Sequence, residues 1–582
     1  MKRRWSVALL AVCFAPLAAP AGPDIRQELQ NDVVLRALVD ELQRSMPGLK
    51  LEDLERPYFI EYGLTDAARA SVSAELGAVT SRNENRSRSL RSDVRVGSYQ
   101  LDNTNFQGSG YGGYFGFEFG GMFGASLPIE DDYNAIRQAI WWTTDRDYKE
   151  VVETLVQKKA FMESKLIQDK PDDFSHESPT VYCEDRAPLT LELARLEELA
   201  VALSAIFRDF PAVQNSSVSV NGCTGNKYLV NTEGTRLRTA RRRFSVSVNA
   251  TVQADDGMKL SDSLSVYARQ LAELPPRDEL IRRCRALAGR LVALQSAPTL
   301  GTYTGPVLFD AEAAASLFAR QFGALFAGGQ RPVGSRTSAD DFANKLNKRI
   351  LPRFLNVVDD PGQEIIAGVP VTGRYVYDDQ GVKVQAVSLV EAGRLKALLM
   401  SRNPSKEFKQ SNGHGRGAYT GVRTTVGCLL VTAEQADNAA TLKQKLLNAC
   451  ADEDLEFGLR VAALGGTSDT GYRSYGSYGG FDMSEFAGRG TGGATTPLAM
   501  YKVYPDGREE LVRGAEIARF DLKAFKRMLA AGDTPYVLNT IGSGSEGQTI
   551  VAPALLFEEL DLAKIDRDFD KPPILPTPLA RQ

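Results

Sequence analysis

The chain has 582 residues, 43% hydrophobic and 24% charged, with 51 glycines and 27 prolines, which is too apolar for a disordered chain and too mixed for a fibrous one. At roughly 100 to 200 residues per domain, the length predicts about two to four units, each able to bury a core without disulfide or metal staples. Lys and Arg number 69 against 73 Asp and Glu, and a formal charge of −4 gives no electrostatic case for nucleic acid, whose phosphates want a basic surplus.

Lys2, Arg3 and Arg4 precede an apolar stretch from Val7 to Ala19, and Ala19-Pro20-Ala21 has the small-x-small form of a cleavage site. Residues 1–21 are therefore expected to be a secretory signal, since about 13 apolar residues are too few to cross a bilayer core of ~30 Å. Val12 is bulky where lipoprotein processing at Cys13 would need a small residue, and no later stretch predicts a transmembrane segment. Removing the signal takes three cations from a chain of charge −4 and leaves an acidic protein of −7, expected to be periplasmic or extracellular. Cys183, Cys223, Cys284, Cys428 and Cys450 then remain. An odd number leaves at least one thiol unpaired or bridging to another chain. Cys183 with Cys223 and Cys428 with Cys450 are open pairings, beside buried single thiols.

Further along, Leu29, Val33, Leu38 and Leu42 recur at helical spacing from Asp24 to Met46, and Pro47-Gly48 predicts the stop. Alternating runs over Ala70–Val79 and Val94–Leu101 predict antiparallel strands with one polar face. Helical patterns cover Asp132–Lys165 and Leu189–Phe207, and strands return over Val218–Val252 around the turn Asn231-Thr232-Glu233-Gly234. The basic run Arg236, Arg238, Arg241, Arg242 and Arg243 falls in a strand pattern and is read as a solvated sheet face. A charged helix over Asp278–Leu294 leads to Gln295-Ser296-Ala297-Pro298, where the main boundary is placed.

The second part opens with a short strand, Pro306–Phe309, and Asp310 is placed to cap a helix from Ala311 to about Phe326. Short strands and turns then alternate to Leu562, among them Tyr377-Asp378-Asp379-Gln380-Gly381, Glu391-Ala392-Gly393, Pro505-Asp506-Gly507 and Ser543-Gly544-Ser545-Glu546-Gly547. The expected fold class is α+β in two parts. An N-terminal part over 22–297 carries an antiparallel sheet and long helices, and a C-terminal part over 298–582 is mostly antiparallel β. Glycine and tyrosine dominate Gly108–Gly124 and Gly471–Gly493, which suits loops closing over an extended peptide, surface loops, or a subunit contact.

Taken in order, several segments of the second part resemble the TldD/PmbA (TldE) family of metallopeptidase-related proteins. They are Val307-Leu308-Phe309-Asp310 before the helix, the Tyr377–Gly381 turn followed by Ser388–Leu395, Ser411-Asn412-Gly413-His414-Gly415-Arg416, Tyr504-Pro505-Asp506-Gly507 with Val512–Ala515, and Ser545-Glu546-Gly547-Gln548. The first part resembles the family mainly in its helix-strand layout. The resemblance implies, for active members, a His-Glu-x-x-x-His helix and a later Cys. Two imidazoles and a thiolate would hold zinc with one position open, and the glutamate would serve the metal-bound water as base. Here the aligned stretch reads Ala319-Arg320-Gln321-Phe322-Gly323-Ala324, and Ser543 stands where the Cys would be. Methyl groups replace the imidazoles, and a guanidinium within ~4 Å of a divalent ion would cost several kcal/mol at an effective dielectric of about 20.

No catalytic residue and no metal ligand is therefore assigned to this chain, and zinc is expected only in a TldD-like partner. The resemblance implies the non-catalytic, TldE/PmbA-like subunit of an exported two-chain metallopeptidase acting on peptides or unfolded segments. The alternative is a metal-free, homodimeric peptide-binding or scaffold protein of the cell envelope.

Other chemistry is thinner. His414 and Arg416 are the candidate binding residues, for a peptide carboxylate, although His414 between two glycines equally suits bonding to loop carbonyls. His176 reads as an exposed loop residue. Asp378 and Asp379 read as turn residues, because neighbours on an extended chain point apart. The Gly542–Gly547 run lacks the lysine and helix of a phosphate loop. Neither histidine sits in a serine-nucleophile context.

Overall fold

The computed structural model describes residues 25–50, 55–107, 124–335, 342–417, 421–465, 496–517, 520, 522–541, 546–565 and 577–581. The expected signal and the glycine-tyrosine stretches, apart from Gly124, lie outside these residues.

The first half is a seven-stranded sheet built on two long hairpins. Its strands are β1 (Pro57–Glu75), β2 (Ala78–Val96), β3 (Ala125–Leu127), β4 (Val181–Cys183), β5 (Asn215–Asn231), β6 (Arg236–Gln253) and β7 (Lys259–Ala268), in the order β3-β2-β1-β5-β6-β4 with β7 also on β6. All neighbours are antiparallel except β4 with β6. The β1–β2 hairpin turns at Leu76 and Gly77, both with positive φ, as a two-residue turn matched to strand twist requires. The run Ala70–Val79 therefore crosses a turn instead of forming one strand: alternation continues on both sides of a tight hairpin, so periodicity alone does not reveal the reversal.

Helices α1 (Ile25–Asn31), α2 (Val33–Gly48), α3 (Tyr133–Ser164), α4 (Leu193–Ser204) and α5 (Arg277–Ser296) complete this half. The single helix expected from Asp24 is split, because the Asp32 carboxylate caps α2 through the Val34 and Leu35 N–H groups. Ile60, Tyr62 and Leu64 of β1 pack with α2 and α3, whereas Val72, Val220 and Val248 pack with α4 and α5. Both groups are even-numbered and so lie on one face of the sheet. Its odd-numbered face is left for the second half of the chain.

The second half is an eleven-stranded, mostly antiparallel sheet. Its strands in chain order are β8 (Tyr303–Phe309), β9 (Leu355–Asp359), β12 (Val387–Glu391), β13 (Arg394–Leu395), β16 (Cys428–Ala433), β17 (Gly458–Leu464), β18 (Pro497–Val503), β19 (Glu509–Val512), β20 (Ala515–Ile517), β21 (Met528–Ile541) and β22 (Gly547–Lys564). Two small ribbons, β10 (Ile365–Ile366) with β11 (Val369–Pro370) and β14 (Gly415–Arg416) with β15 (Arg423–Thr424), stand apart. The main order is β13-β12-β9-β16-β22-β8-β17-β18-β19, with β20 and β21 also on β22. Only β16 with β22 and β8 with β17 run parallel.

Helix α6 (Ala311–Phe322) lies on this sheet, with α7 (Ala439–Asp452) and α8 (Leu522–Lys526) further along. Phe318 and Phe322 of α6 are fully buried and meet Phe525, which in turn meets Phe557. Each such ring contributes roughly 1.5 to 3 kcal/mol of burial. The helix stops at Phe322, short of the expected Phe326, and the chain turns through Gly323 to Phe326, where Leu325 N–H bonds to the Phe322 carbonyl. Asp310 sits at the N-cap position without capping, its carboxylate being taken by Arg460 at 2.7 Å.

The halves are joined by polar contacts. Arg402 is buried, paired through both outer nitrogens with Glu233, donating to the Ser175 carbonyl, and stacked 3.8 Å over Phe174. Arg513 reaches back to Asp256 and to the Ala297 carbonyl. The five cysteines in the described residues are buried free thiols. No helix among the described residues is long and apolar enough to cross a membrane.

Candidate functional site

Between the two halves lies a cavity of about 200 Å³, floored by the odd-numbered face of the first sheet. Hairpin register fixes what points into it. Lys227 pairs with Thr65 and Thr239, and Arg241 and Arg243 pair with Gly225 and Cys223, so Lys227, Arg241 and Arg243 share one face. The opposite wall comes from the Tyr377–Gly381 turn, the β14 ribbon and the start of β22. Gly547 holds that last segment close, since a Cβ there would lie 2.2 Å from the Thr372 carbonyl.

These elements assemble a linked set of charges. Lys227 Nζ is 2.7 Å from Asp379 and 2.8 Å from Glu546, and Arg416 reaches the same two carboxylates at 3.4 and 2.9 Å. Arg416 also lies 4.1 Å over the Tyr375 ring, and Arg241 stands 4.0 Å from Glu546. Burial by itself would raise the Glu546 carboxyl, but Lys227, Arg241 and Arg416 hold it well below the usual carboxylate range. Burial likewise opposes the charge on Arg416, and Asp379 and Glu546 more than offset it.

Asp378 and Asp379 point apart. Asp378 is buried and accepts from the Gln380, Val382 and Gly415 N–H groups, and burial pushes its carboxyl up to about 7. Asp379 turns to Lys227, Arg416 and the Gly417 N–H.

Of the two candidate binding residues, the structure brings only Arg416 to the cavity. His414 is fully buried elsewhere: Nδ1 is 2.9 Å from the Asn412 side-chain oxygen, and Nε2 lies 3.4 Å from Asp359 without a hydrogen bond, while Asp359 accepts from the Gly427 and Cys428 N–H groups. His176 is exposed, with its ring stacked 3.5 Å from that of Tyr99.

The basic run departs from a solvated face. Arg238 is buried against Glu28, Asp32 and the Glu184 carbonyl, and Arg241 is buried in the cavity wall. A strand with helices on one face and a second domain on the other has no fully wet side, so only Arg242 of the five is exposed. Lys227, central to the cluster, carries no motif of its own. Its place follows only once the β5–β6 register is known.

Ala319 and Arg320 lie near the end of α6, and Ala324 lies beyond it, so the three do not share one helix face. The Arg320 guanidinium donates to the Gly465 carbonyl. Neither methyl offers a lone pair and the guanidinium is cationic, so these side chains do not fit the metal that the resemblance places there. Ser543 lies outside the described residues. Among the described residues, no three His, Cys, Asp or Glu side chains gather where they could hold a metal ion.

The fold and the two domain profiles it contains define a metallopeptidase-related chain. Residues 186–292 match the PmbA/TldA metallopeptidase central domain, and residues 301–450 match the PmbA/TldA metallopeptidase C-terminal domain. Residues 186–292 and 301–450 thus carry two domains of PmbA/TldA metallopeptidase type. Its shape resembles TldE from Thermococcus kodakarensis, with a TM-score of 0.59 at 13% identity over 90% of this chain and 100% of that one. It is also similar to proteins named as candidate modulators of DNA gyrase. That of Thermotoga maritima gives 0.57 at 14% identity over 92% and 100% of the two chains, and that of Bacteroides thetaiotaomicron gives 0.54 at 12% over 93% and 99%. No curated protein matches the chain.

Proposed function

We propose that this chain is the non-catalytic subunit of an exported two-chain metallopeptidase, shaping the peptide site while a TldD-like partner supplies zinc and cleaves the bond. The observation that carries the reading is the replacement of the expected His-Glu-x-x-x-His by Ala319, Arg320 and Ala324, within a segment that matches a metallopeptidase C-terminal domain. The likeness to a protein named TldE supports the subunit role, and Lys2–Ala21 supports export. Affinity purification of the tagged chain from its own cells, followed by mass spectrometry and metal analysis, tests this. The expected result is a stoichiometric relative with an intact His-Glu-x-x-x-His carrying the zinc. A stable homodimer with no such relative overturns it in favour of a metal-free peptide-binding or scaffold protein.

A further inference from the structure

The cavity between the halves is more basic than the protein that contains it. Eight cations line it, seven of them arginines, against the four carboxylates of Glu184, Asp378, Asp379 and Glu546, in a chain of formal charge −4. Glu61 and Glu364 pair with Arg91 and Arg374, and counting them leaves the balance positive. Surplus positive charge in a concave, largely buried site attracts an anion from solution, because the surrounding protein screens it less than water would. Guanidinium forks, in turn, match the two oxygens of a carboxylate.

Size and charge narrow the ligand. At about 200 Å³ the cavity falls below the ~300 to 1,000 Å³ of pockets that enclose drug-sized molecules, so it takes a small group or the end of a longer chain. Glu546 and Asp379 remain in the wall as fixed negative charges and leave a modest surplus, which favours one or two carboxylates over a highly charged phosphate ester. Arg269, next to Arg243 in the strand register and half-buried, puts a cation on the approach as well as at the floor.

We propose that this cavity is an oxyanion site that receives a carboxylate of a peptide, either its free C-terminal end or an acidic side chain. The peptide source rests on the functional reading above, whereas the anion specificity rests on the cavity alone.

Calorimetric titration of the full chain near neutral pH in dilute salt tests it. The probes are tetra-alanine with a free C-terminus, the same peptide as its C-terminal amide with an acetylated N-terminus, an acetylated and amidated Ala-Glu-Ala, and inorganic phosphate. The free acid and the Glu peptide should bind, with the uncharged amide at least about tenfold weaker, and Arg269→Glu should weaken both by about tenfold without moving the thermal midpoint. Arg243→Gln should do the same from the floor, and the Arg269 variant, at a half-buried position outside the strands, keeps the test valid if Arg243→Gln does not fold. Equal binding of acid and amide, binding of phosphate alone, or no binding overturns the proposal. The titration uses the lone chain, so its failure is separable from failure to find a zinc-bearing partner.

Discussion

Lys227 on the first sheet and Glu546 at the head of β22 lie 2.8 Å apart, an ion pair that ties the two halves of the chain across their shared cavity. Its side chains are 17% and 11% exposed, and Asp379 and Arg416 complete the set. Removing one member of a buried pair leaves an uncompensated charge, so Glu546→Ala should cost about 3 to 5 kcal/mol in urea unfolding. The Lys227→Met, Glu546→Leu double variant should lose less than the sum of its two singles by about 0.5 to 3 kcal/mol. Strictly additive singles would mean that the pair does not couple the halves.

Asp378 gives a pH dependence with a definite sign. Its folded carboxyl takes a proton near 7, against an ordinary value of 3.8, so between those limits the folded chain holds a proton that the unfolded chain has released. Raising the pH through this window therefore favours unfolding, by up to about 1.4 kcal/mol per pH unit from this one group. Relative to Asp378→Asn, the native chain should lose stability as the pH rises from about 4 to 7, measured by urea midpoints. Parallel profiles would contradict it. Glu546 acts oppositely: its contribution is present above the ordinary glutamate range and is lost as acid protonates it.

Burial pushes Cys284 and Cys450 up to about 11 and raises Cys428 further, removing the reactive thiolate at neutral pH. All five thiols are buried, so a thiol reagent applied to the native chain near neutral pH should leave Cys183, Cys223, Cys284, Cys428 and Cys450 unmodified, and should label all five after denaturation. Fewer than five labelled thiols in the denatured, unreduced protein would reveal a disulfide.

The two-part α+β plan was legible because long amphipathic helices and alternating strands leave strong periodic patterns, as in Asp132–Lys165 and Val218–Val252. What periodicity could not reveal were interruptions made by single residues. Asp32 splits the first helix by capping, Leu76-Gly77 reverses a strand inside an unbroken alternation, and α6 ends early in the turn where Leu325 N–H bonds to the Phe322 carbonyl. The cavity was harder to see. Asp379, Arg416 and Glu546 stood out as motif residues, but their meeting with Lys227 depends on docking residues more than 100 positions apart, which no local pattern encodes. Arg238 and Arg241 looked wet because charge is the usual mark of a solvated face, and only the layers on either side of the sheet show them buried.

The claim on which the functional account rests is tested most directly by elemental analysis of the full chain, purified alone from zinc-supplemented cells without chelators. The account predicts zinc far below one atom per chain, before and after dialysis against a weak chelator. One tightly held zinc per chain, lost together with a spectroscopic cobalt signal when the segment around Ala319 and Ala324 is altered, would contradict it.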